Sequence, residues 1–587
     1  DEVCLPVLVL AEVDATAEET LPEGVQVVGL KVEPAEIRIT RRNEYAQLMV
    51  MATLGSGGVA DVTRMASYGV DQPLGEVSTR GRFTATSNGT GVLTIRFRGA
   101  SAELPVVIEG VPPKFDADFV RDLSPVLSKA GCTAGTCHGA RNGKNGFKLS
   151  LRGYDPIYDV RAFADDHAAR RVNLASPDNS LMLLKAVGEV PHEGGQRMTR
   201  DSEYYAILRQ WIVEGTRLNT ESARVNGIKI YPENPVVQAT GSRQQMRVVA
   251  TYSNGYSRDV TSEAFISSGN GDVVAVDDWG LVTTLRRGEA PVLARFEGAY
   301  TATTLTVMGD RSGFVWEEQP ANNRIDELVA AKWERLKILP SGLCSDSEFI
   351  RRVYLDLVGL PPSPSELREF LDDPRDTQIK RDLLIEQLMA SPDFVDHWSS
   401  KWADLLQVNR KFLGVEGARL FRDWIRMEIR DNTPYDQFVR KILTATGSNR
   451  ENPAASYFKV LRQPEETMEN TTHLFLGTRF NCNKCHDHPF ERWTQDQYYS
   501  MSAFFARVDF EKDPESGDRR IGGTAVENAK PLFEKVVDRG EGEVTHLRTG
   551  KVAPPEFPYA AEHSSRMEGD TRREELVEWM TSPDNRY

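Results

Sequence analysis

Several features that would assign a protein to a common functional class are scarce or missing in this sequence. Among 587 residues there are only six cysteines and nine histidines. No apolar run approaches the roughly 18–20 residues of a membrane-spanning helix. A phosphate-binding loop, a dinucleotide fingerprint and a hydrolase triad motif are also missing, which leaves the enzyme classes that depend on them with little support.

Basic residues are in the minority. Lysine and arginine together number 71, against 86 aspartates and glutamates, and the formal net charge is −15. Nucleic acid is therefore not an expected partner, because neutralising phosphates requires a basic surface. The sign suits docking of a basic redox partner protein, although an acidic surface more often serves solubility.

Most of the few cysteines belong to two motifs. Cys482, Cys485 and His486 form the pattern C-x-x-C-H. In a c-type cytochrome the two thiols add to the haem vinyl groups, and the following imidazole becomes the proximal iron ligand. On a helix these three positions share one face, so all three side chains can meet one macrocycle. We predict a covalently attached haem c at this motif.

A looser copy of the motif consists of Cys132, Cys137 and His138, with four residues between the cysteines. Gly131 and Gly135 are expected to let the backbone bulge, so that both sulfurs still reach the ring. We therefore expect two covalently attached haem c groups per chain, one at each motif.

The second motif has three alternative interpretations: a zinc site, a disulfide or chance. Cys482, Cys485, His486 and His488 crowd four possible ligands into seven residues. Tetrahedral zinc sites usually draw two ligand pairs from separated segments. The spacing thus favours haem over zinc.

The remaining two cysteines are Cys4 and Cys344. An oxidising compartment would allow a disulfide between them, but sequence cannot place them within reach of one another. Covalent haem attachment takes place outside the cytoplasm. We therefore expect an exported protein of the periplasm or the cell surface, and we expect this sequence to be that of the mature form.

The sixth ligand of the first haem is expected in the loop that follows its motif. Met198 lies in a stretch rich in turn formers, ahead of an amphipathic helical pattern, as in a small cytochrome c. We predict Met198 as the ligand, with His192 as the competitor because imidazole also binds iron. The helix is expected to be capped by Asp201 and to end at Gly215.

The sixth ligand of the second haem stays open. His397 is predicted because it lies on a separate, aromatic-rich helix that can approach from the opposite face. His473 precedes Cys482 by only nine residues, which makes it a poor candidate to cross the ring plane. Met468 and His488 are the other candidates, and an iron without a sixth protein ligand is the remaining alternative.

An internal repeat organises the first half of the chain. The string LKVEP at 30–34 matches IKIYP at 228–232, DVT occurs at 61–63 and at 259–261, and 98–100 match 297–299. Both copies contain short alternating strands broken by Gly and Asn turns, which predicts two β-sandwiches of about 85 residues. Both resemble the bacterial immunoglobulin-like (Ig-like) group 2 module of surface proteins. Such a module more often separates other domains than binds a polysaccharide or a cell-surface protein.

From about residue 311 the hydrophobic pattern becomes helical. Capping boxes at 345–348 and 363–366 predict two helix starts. Several aromatic-rich helices precede and follow the second cysteine motif, as the large apolar area of a haem requires. Residues 511–570 have the composition of an irregular connection, with one edge strand expected at 543–546, and 572–580 form a last amphipathic helix.

Together these signals predict a multidomain α+β protein: two all-β Ig-like sandwiches, one small all-α cytochrome c-like domain between them, and a mainly α-helical C-terminal haem domain. The expected ranges are an N-terminal tail at 1–24, sandwiches at 25–110 and 223–310, the cytochrome c-like domain at 111–222, the helical haem domain at 311–510, a connection at 511–570, and the start of a truncated further domain at 571–587.

Three strings in the second half are long enough to be specific: PSGLC at 340–344, RRVYLDLVGLPP at 351–362 and FNCNKCHDHPFERWTQD at 480–496. They closely resemble the planctomycete cytochrome-associated proteins of unknown function over about 311–510. Residues 120–215 are similar to the planctomycete-type cytochrome c module. The resemblance implies an exported redox protein but brings no established reaction.

The expected function is outer-sphere electron transfer between the two haems. Methionine ligation raises a haem potential relative to histidine, so electrons would run from the second haem to the first. A haem enzyme with an open second iron is the main alternative, with His488, Asp487 or Glu491 as acid or base toward peroxide or another small molecule. A cell-surface adhesion or scaffold protein with secondary haems is the third.

Overall fold

The computed structural model describes residues 19–55, 57–109, 111, 115–309, 311, 313–485, 493–522, 529–559 and 571–585. The fold is mixed α+β, with β-sandwich-like sheets in the N-terminal half and helices in the C-terminal half. This confirms the predicted class at that level. The chain divides into two compact units, one extending to Pro340 and the other beginning at Ser341.

The first repeat folds into three small sheets, with strand orders β1-β4-β5, β2-β10-β9-β6 and β3-β8-β7. Alternating residues such as Ile37, Phe83 and Leu93 have no exposed surface and fill the space between the sheets. The strands are β1 Val27–Glu33, β2 Ile37–Ile39, β3 Tyr45–Gln47, β4 Met49–Leu54, β5 Val59–Asp61, β6 Ser67–Val70, β7 Gly75–Val77, β8 Arg82–Ala85, β9 Gly89–Phe97 and β10 Ala100–Ile108.

The second repeat has the same strand order in its three sheets: β11-β14-β15, β12-β20-β19-β16 and β13-β18-β17. Its strands are β11 Val225–Tyr231, β12 Val236–Val237, β13 Arg243–Gln245, β14 Arg247–Tyr252, β15 Ser257–Asp259, β16 Phe265–Ser268, β17 Val274–Val276, β18 Leu281–Thr284, β19 Gly288–Phe296 and β20 Ala299–Val307. The internal repeat seen in the sequence therefore corresponds to a repeated topology.

The DVT string has the same role in both copies. In the first, Thr63 Oγ1 accepts a hydrogen bond from the backbone N–H of Val50 at 2.8 Å. In the second, Thr261 Oγ1 accepts one from Val248 at 2.9 Å. The threonine thus closes a gap in the backbone pairing of the sheet at the same place in each sandwich.

The aspartate of the same string joins the two sandwiches to each other. Asp259 Oδ2 accepts the backbone N–H of Gln47 at 2.9 Å, and Asp61 Oδ2 accepts the backbone N–H of Gln245 at 2.5 Å. Each copy therefore offers its aspartate to the matching glutamine of the other, a reciprocal contact of the kind found in two-fold symmetric dimers.

Between the sandwiches lies a small helical domain packed around Trp211, Leu123, Leu183 and Leu208, all nearly without exposed surface. It contains a π-helical turn at Phe119–Leu123 and short 3-10 turns at Leu151–Gly153 and Pro177–Asn179. Its α-helices are α1 Ser124–Lys129, α2 Pro156–Ala164, α3 Leu181–Ala186 and α4 Glu203–Val213.

Two features of this region differ from the sequence prediction. Ser202, not Asp201, caps α4, because its hydroxyl accepts the N–H of Tyr205 at 3.2 Å. The next helix, α5 Arg324–Arg335, belongs to the N-terminal unit. It lies against the second sandwich through ion pairs of Glu289 with two basic side chains, Lys332 and Arg335, at 2.8 and 2.6 Å.

The C-terminal unit is mainly helical, and its core is rich in aromatic side chains such as Phe421, Tyr457, Tyr498 and Trp579. Both predicted capping boxes are present, at 345–348 and 363–366. The helices are α6 Asp346–Leu357, α7 Pro364–Asp372, α8 Thr377–Met389, α9 Pro392–Leu405, α10 Arg410–Arg430, α11 Tyr435–Leu443, α12 Ser456–Val460, α13 Pro464–Phe475, α14 Gln495–Ser502 and α15 Arg572–Met580, with short 3-10 turns at Pro453–Ala455, Asn481–Lys484, Ala503–Phe505 and Pro514–Ser516.

The segment predicted as an irregular connection contains paired strands. A three-stranded sheet has the order β21-β23-β22 and a hairpin joins β24 to β25. The strands are β21 Gly447–Ser448, β22 Val508–Lys512, β23 Glu534–Asp538, β24 Val544–Thr545 and β25 Val552–Ala553. The edge strand expected at 543–546 is present as β24. The other strands are short and charged, and their sequences carry too little periodicity to reveal them.

The last helix, predicted as the start of a further domain, packs into the core of the same unit. Leu576, Val577 and Trp579 of α15 have no exposed surface. The buried guanidinium of Arg573 pairs with Asp538 of β23 and donates to the backbone carbonyl of Leu443 at 3.0 Å. In the described part of the chain, no helix is long and apolar enough to cross a membrane.

Candidate haem sites

The first cysteine motif follows the end of α1 in a series of turns. Gly131 has φ +81°, the left-handed conformation that glycine adopts without strain. The N–H of Cys132 then donates to the carbonyl of Leu127, and the N–H of His138 donates back to the carbonyl of Cys132 at 3.1 Å. The predicted bulge is present at Gly131, but turns and not a helix bring the cysteines and the histidine together.

The ring of His138 is held in one orientation. Its Nδ1 lies 3.1 Å from the carbonyl of Phe147, and the two rings are 4.6 Å apart. Since a carbonyl only accepts, Nδ1 carries the proton and Nε2 keeps its lone pair. Burial lowers the pKa of His138, which favours this neutral form. A histidine whose other nitrogen donates to a backbone carbonyl is the usual state of a metal ligand.

All three residues of the first motif line one cavity of about 490 Å³. This volume lies within the range of about 300–1,000 Å³ that cofactor sites occupy. Burial raises the pKa of Cys132 to about 11, and the neighbouring Cys137 contributes to the rise. Apolar side chains form most of the wall, and basic ones line it as well: Leu127, Phe147, Phe163, Leu181, Lys185 and Arg197.

The two predicted candidates for the sixth ligand lie in different places. His192 lines the cavity, with its ring centre 6.4 Å from that of His138 and the two planes only 8° apart. Met198 is buried in the hydrophobic core of the domain and is not among the residues that line the cavity. A different methionine, Met182 of α3, lies in the cavity wall. The sequence carried no signal for Met182, since it occupies an ordinary helix position.

The donor set at this cavity fits a c-type haem. Two thiols, an imidazole with a free Nε2 and an apolar chamber are what covalent attachment and burial of the macrocycle require. In the described part of the chain no three side chains of His, Cys, Asp or Glu cluster as a metal-ion site would need.

The second cysteine motif begins on the 3-10 turn Asn481–Lys484 and not on the helix predicted for it. Cys482 and Cys485 are both exposed. The turn is anchored from below by Asn483, which has no exposed surface and whose Nδ2 donates to the carbonyl of Trp493 at 2.5 Å. His486 and the other predicted residues up to 491 lie outside the described residues.

Helix α14 supports the same turn through two side chains. The carbonyl of Lys484 accepts hydrogen bonds from Tyr499 Oη at 2.9 Å and from Gln495 Nε2 at 3.1 Å. The ring of Tyr499 lies 4.6 Å from that of His546. The backbone on which the two cysteines sit is therefore well fixed, although their thiols face outward.

The candidates for the sixth ligand at the second motif are dispersed. Met468 has no exposed surface and accepts a hydrogen bond from Thr472 within α13, whereas His473 is exposed. His397 packs on Gly359, where an added Cβ would come within 2.3 Å of its Nδ1. Burial lowers the pKa of His397, so it is held neutral. Its role as a ligand stays a prediction.

The cysteines outside the motifs give no support for a disulfide. Cys344 has a free thiol and is partly buried, while Cys4 lies outside the described residues.

One part of the chain matches a known protein family. Residues 324–510 match the family PSCyt2, described as a protein of unknown function (DUF1549). These residues are therefore similar to the planctomycete cytochrome-associated domain. The resemblance seen in the strings at 351–362 and 480–496 is thereby confirmed, and the second cysteine motif lies inside the cytochrome-associated domain.

Other similarities are weaker and fall elsewhere. Ice-binding protein 1 of Shewanella frigidimarina (strain NCIMB 400) is 30% identical over 131 residues, which are 22% of this chain and 14% of that protein. The chain thus spans only a small part of that relative.

Among solved structures, domains 5–6 of the S-layer protein SbsC align with 48% of this chain and 98% of their own, at 10% identity and a TM-score of 0.21. Human protocadherin-24 EC1-2 aligns with 49% of this chain and 100% of its own, at 9% identity and a TM-score of 0.11. At such low TM-scores the two alignments carry no information on the fold or function of this chain.

Proposed function

We propose that this chain is an exported diheme c-type cytochrome that transfers electrons, with the two sandwiches acting as Ig-like spacers or docking surfaces. The observation that carries the proposal is the first cavity, where Cys132, Cys137 and the oriented ring of His138 meet in one apolar chamber. The similarity of the surrounding residues to a planctomycete-type cytochrome c module points the same way.

Each group in the first cavity has a distinct task. The thiols of Cys132 and Cys137 tether the haem, and Nε2 of His138 is the proximal ligand. The haem supplies one-electron chemistry when bound. The apolar wall excludes water, while Lys185 and Arg197 are placed to meet the propionates as charge-assisted donors.

The second haem belongs, in this proposal, to Cys482, Cys485 and His486 of the cytochrome-associated domain. Electron transfer needs no substrate pocket, which agrees with exposed thiols on a fixed turn. The net charge of −15 suits a basic redox partner protein. Haem attachment outside the cytoplasm implies a periplasmic or cell-surface location.

The test is a pyridine haemochrome assay on the full chain, exported in a host that matures c-type cytochromes. We expect two covalent haems per chain. The double variant Cys132→Ala/Cys137→Ala and the double variant Cys482→Ala/Cys485→Ala should each retain one. Cys344→Ala is the matched control, because its thiol lies outside both motifs, and it should retain two.

A chain without covalent haem would overturn the proposal. If the number of haems does not fall when one cysteine pair is removed, that motif does not attach a haem. Reversible reduction of both haems without peroxide turnover supports electron transfer, whereas a high-spin haem that consumes peroxide would favour the enzyme alternative.

A further inference from the structure

The loop that carries His192 holds the ring of this histidine in a defined position. His192 Nδ1 lies 2.8 Å from the carbonyl of Gly195, and the N–H of Gly195 donates back to the carbonyl of His192 at 2.9 Å. Gly195 has φ +70°, which closes this turn. Lys185 of α3 fixes the loop by donating to the carbonyl of Pro191 at 2.7 Å.

The ring of His192 is hydrogen-bonded in the same way as that of His138. In both residues Nδ1 donates to a backbone carbonyl, at 2.8 and 3.1 Å, and the carbonyl fixes the orientation of the ring. Both residues line the same cavity. An imidazole oriented by a carbonyl at its other nitrogen is the usual form of a metal-binding histidine.

The spacing of the two rings matches ligation of one iron from opposite faces. Metal–imidazole bonds are about 2 Å long and a ring nitrogen lies about 1.1 Å from its ring centre, so two opposed ligands place their ring centres about 6 Å apart. The observed separation is 6.4 Å, with planes 8° apart. Two rings stacked directly on each other would lie much closer.

The residue at 194 is consistent with this use of the ring. A Cβ added to Gly194 would lie 3.0 Å from Cε1 and 3.2 Å from Nε2 of His192. Glycine therefore leaves the iron-facing edge of the imidazole uncrowded. Met198, by contrast, is held in the core, with its N–H directed to the carbonyl of Ala186.

We infer that His192, and not Met198, binds the iron of the first haem opposite His138, giving bis-histidine ligation. This inference rests on the proposed function, since it presupposes the haem. It also removes the ground for the predicted direction of electron flow, because the first haem loses the methionine that would raise its potential.

The experiment uses the full chain with Cys482→Ala/Cys485→Ala, which leaves one haem. In that background we compare His192→Ala with two matched thioether controls, Met198→Leu and Met182→Leu. His192→Ala should convert the low-spin haem to high spin, and added imidazole should restore low spin. Both methionine variants should stay low-spin, and the parent should lack the red sulfur-to-iron charge-transfer band of methionine ligation.

Electron paramagnetic resonance gives a second readout. Nearly parallel imidazole planes predict a rhombic ferric low-spin signal, whereas perpendicular planes give a single large-g feature. Imidazole rescue of His192→Ala guards against misfolding of that variant.

The failure of the inference and of the proposed function are distinguishable. Covalent haem with a low-spin His192→Ala, or loss of low spin in Met198→Leu or Met182→Leu, overturns bis-histidine ligation and leaves the cytochrome intact. Absence of covalent haem at Cys132 and Cys137 overturns both.

Discussion

The two cysteine–histidine motifs of this protein are built in contrasting ways. The first is enclosed: Cys132 and His138 line a cavity whose opposite wall carries a second oriented histidine. The second is presented on a surface turn, with Cys482 and Cys485 exposed above a buried anchor. One site is assembled by tertiary contacts between segments far apart in the chain, and the other by hydrogen bonds to an adjoining helix.

The contrast teaches what a short motif specifies. The five or seven residues of C-x-x-C-H or C-x4-C-H determine tethering and the proximal ligand. Solvent access and the sixth ligand depend on the surrounding domain. Two haems held by the same chemistry are therefore expected to differ in exposure, and a partner protein would meet the second more readily.

The largest effect should come from disrupting the hydrophobic core of the domain that contains the first site. Trp211 has no exposed surface, packs against Phe119 at 5.2 Å and donates from Nε1 to the carbonyl of Arg217 at 2.8 Å. Trp211→Ala should cost about 3–5 kcal/mol and abolish attachment of the first haem alone. Denaturant unfolding and haem stoichiometry measure both.

Trp279→Ala is the control for that variant, because this tryptophan is 44% exposed. It should leave both haems and the unfolding midpoint nearly unchanged. Retention of the first haem at full stability in Trp211→Ala would show that the cavity does not depend on this core.

The second site should be disrupted by loss of the buried hydrogen bond beneath its turn. Asn483→Ala removes a buried hydrogen bond to the carbonyl of Trp493, which should cost about 1–3 kcal/mol. The fraction of chains that carry haem at Cys482 and Cys485 should fall, while the fraction that carry haem at Cys132 and Cys137 should not change. Asn481→Ala is the control, since Asn481 donates to Glu469 at 2.9 Å on the surface, and it should have little effect on either haem.

The smallest expected effect is a dependence of stability on pH, confined to the domain that contains the first site. Asp159 is buried and accepts hydrogen bonds from the N–H and hydroxyl of Ser150, at 2.5 and 2.6 Å. Ser150 follows Leu149, whose N–H donates to the carbonyl of His138 at 2.9 Å. Burial raises the pKa of Asp159 to about 7. The folded state thus retains a proton that the unfolded chain loses near pH 4, so stability falls as pH rises between these values.

The slope should be about 1.4 kcal/mol per pH unit at most and should flatten above pH 7. Unfolding free energies of the domain, measured from pH 4 to 8, should lose this slope in Asp159→Asn, since the amide can still accept from the N–H of Ser150. If Asp159→Asn keeps the same slope as the unsubstituted chain, the slope does not come from protonation of Asp159.

The elements most readily predicted from sequence are those whose signals are local. Capping boxes at 345–348 and 363–366 place side chain and backbone within four residues, and both are present. The repeat was visible because two copies can be compared with each other. Their common topology follows from the shared strings and turn residues.

The positions of the two candidates for the sixth ligand, Met198 and His192, could not be predicted in this way. Met198 occupies the expected loop, yet its side chain faces the core, whereas His192 depends on a left-handed turn at Gly195 to reach His138. The strands β22, β23 and β25 were missed for a related reason, whereas β24 lies within the edge strand expected at 543–546. Short, charged strands take their stability from partners across the sheet and not from their own pattern.

The reciprocal contacts of Asp61 with Gln245 and of Asp259 with Gln47 also have a mechanical consequence. They close a loop in the chain, and that loop contains the small helical domain. We expect tension that enters through the first sandwich and leaves through the second to pass mainly across their interface. The cavity at Cys132 would then be shielded from load for as long as those aspartates keep their contacts.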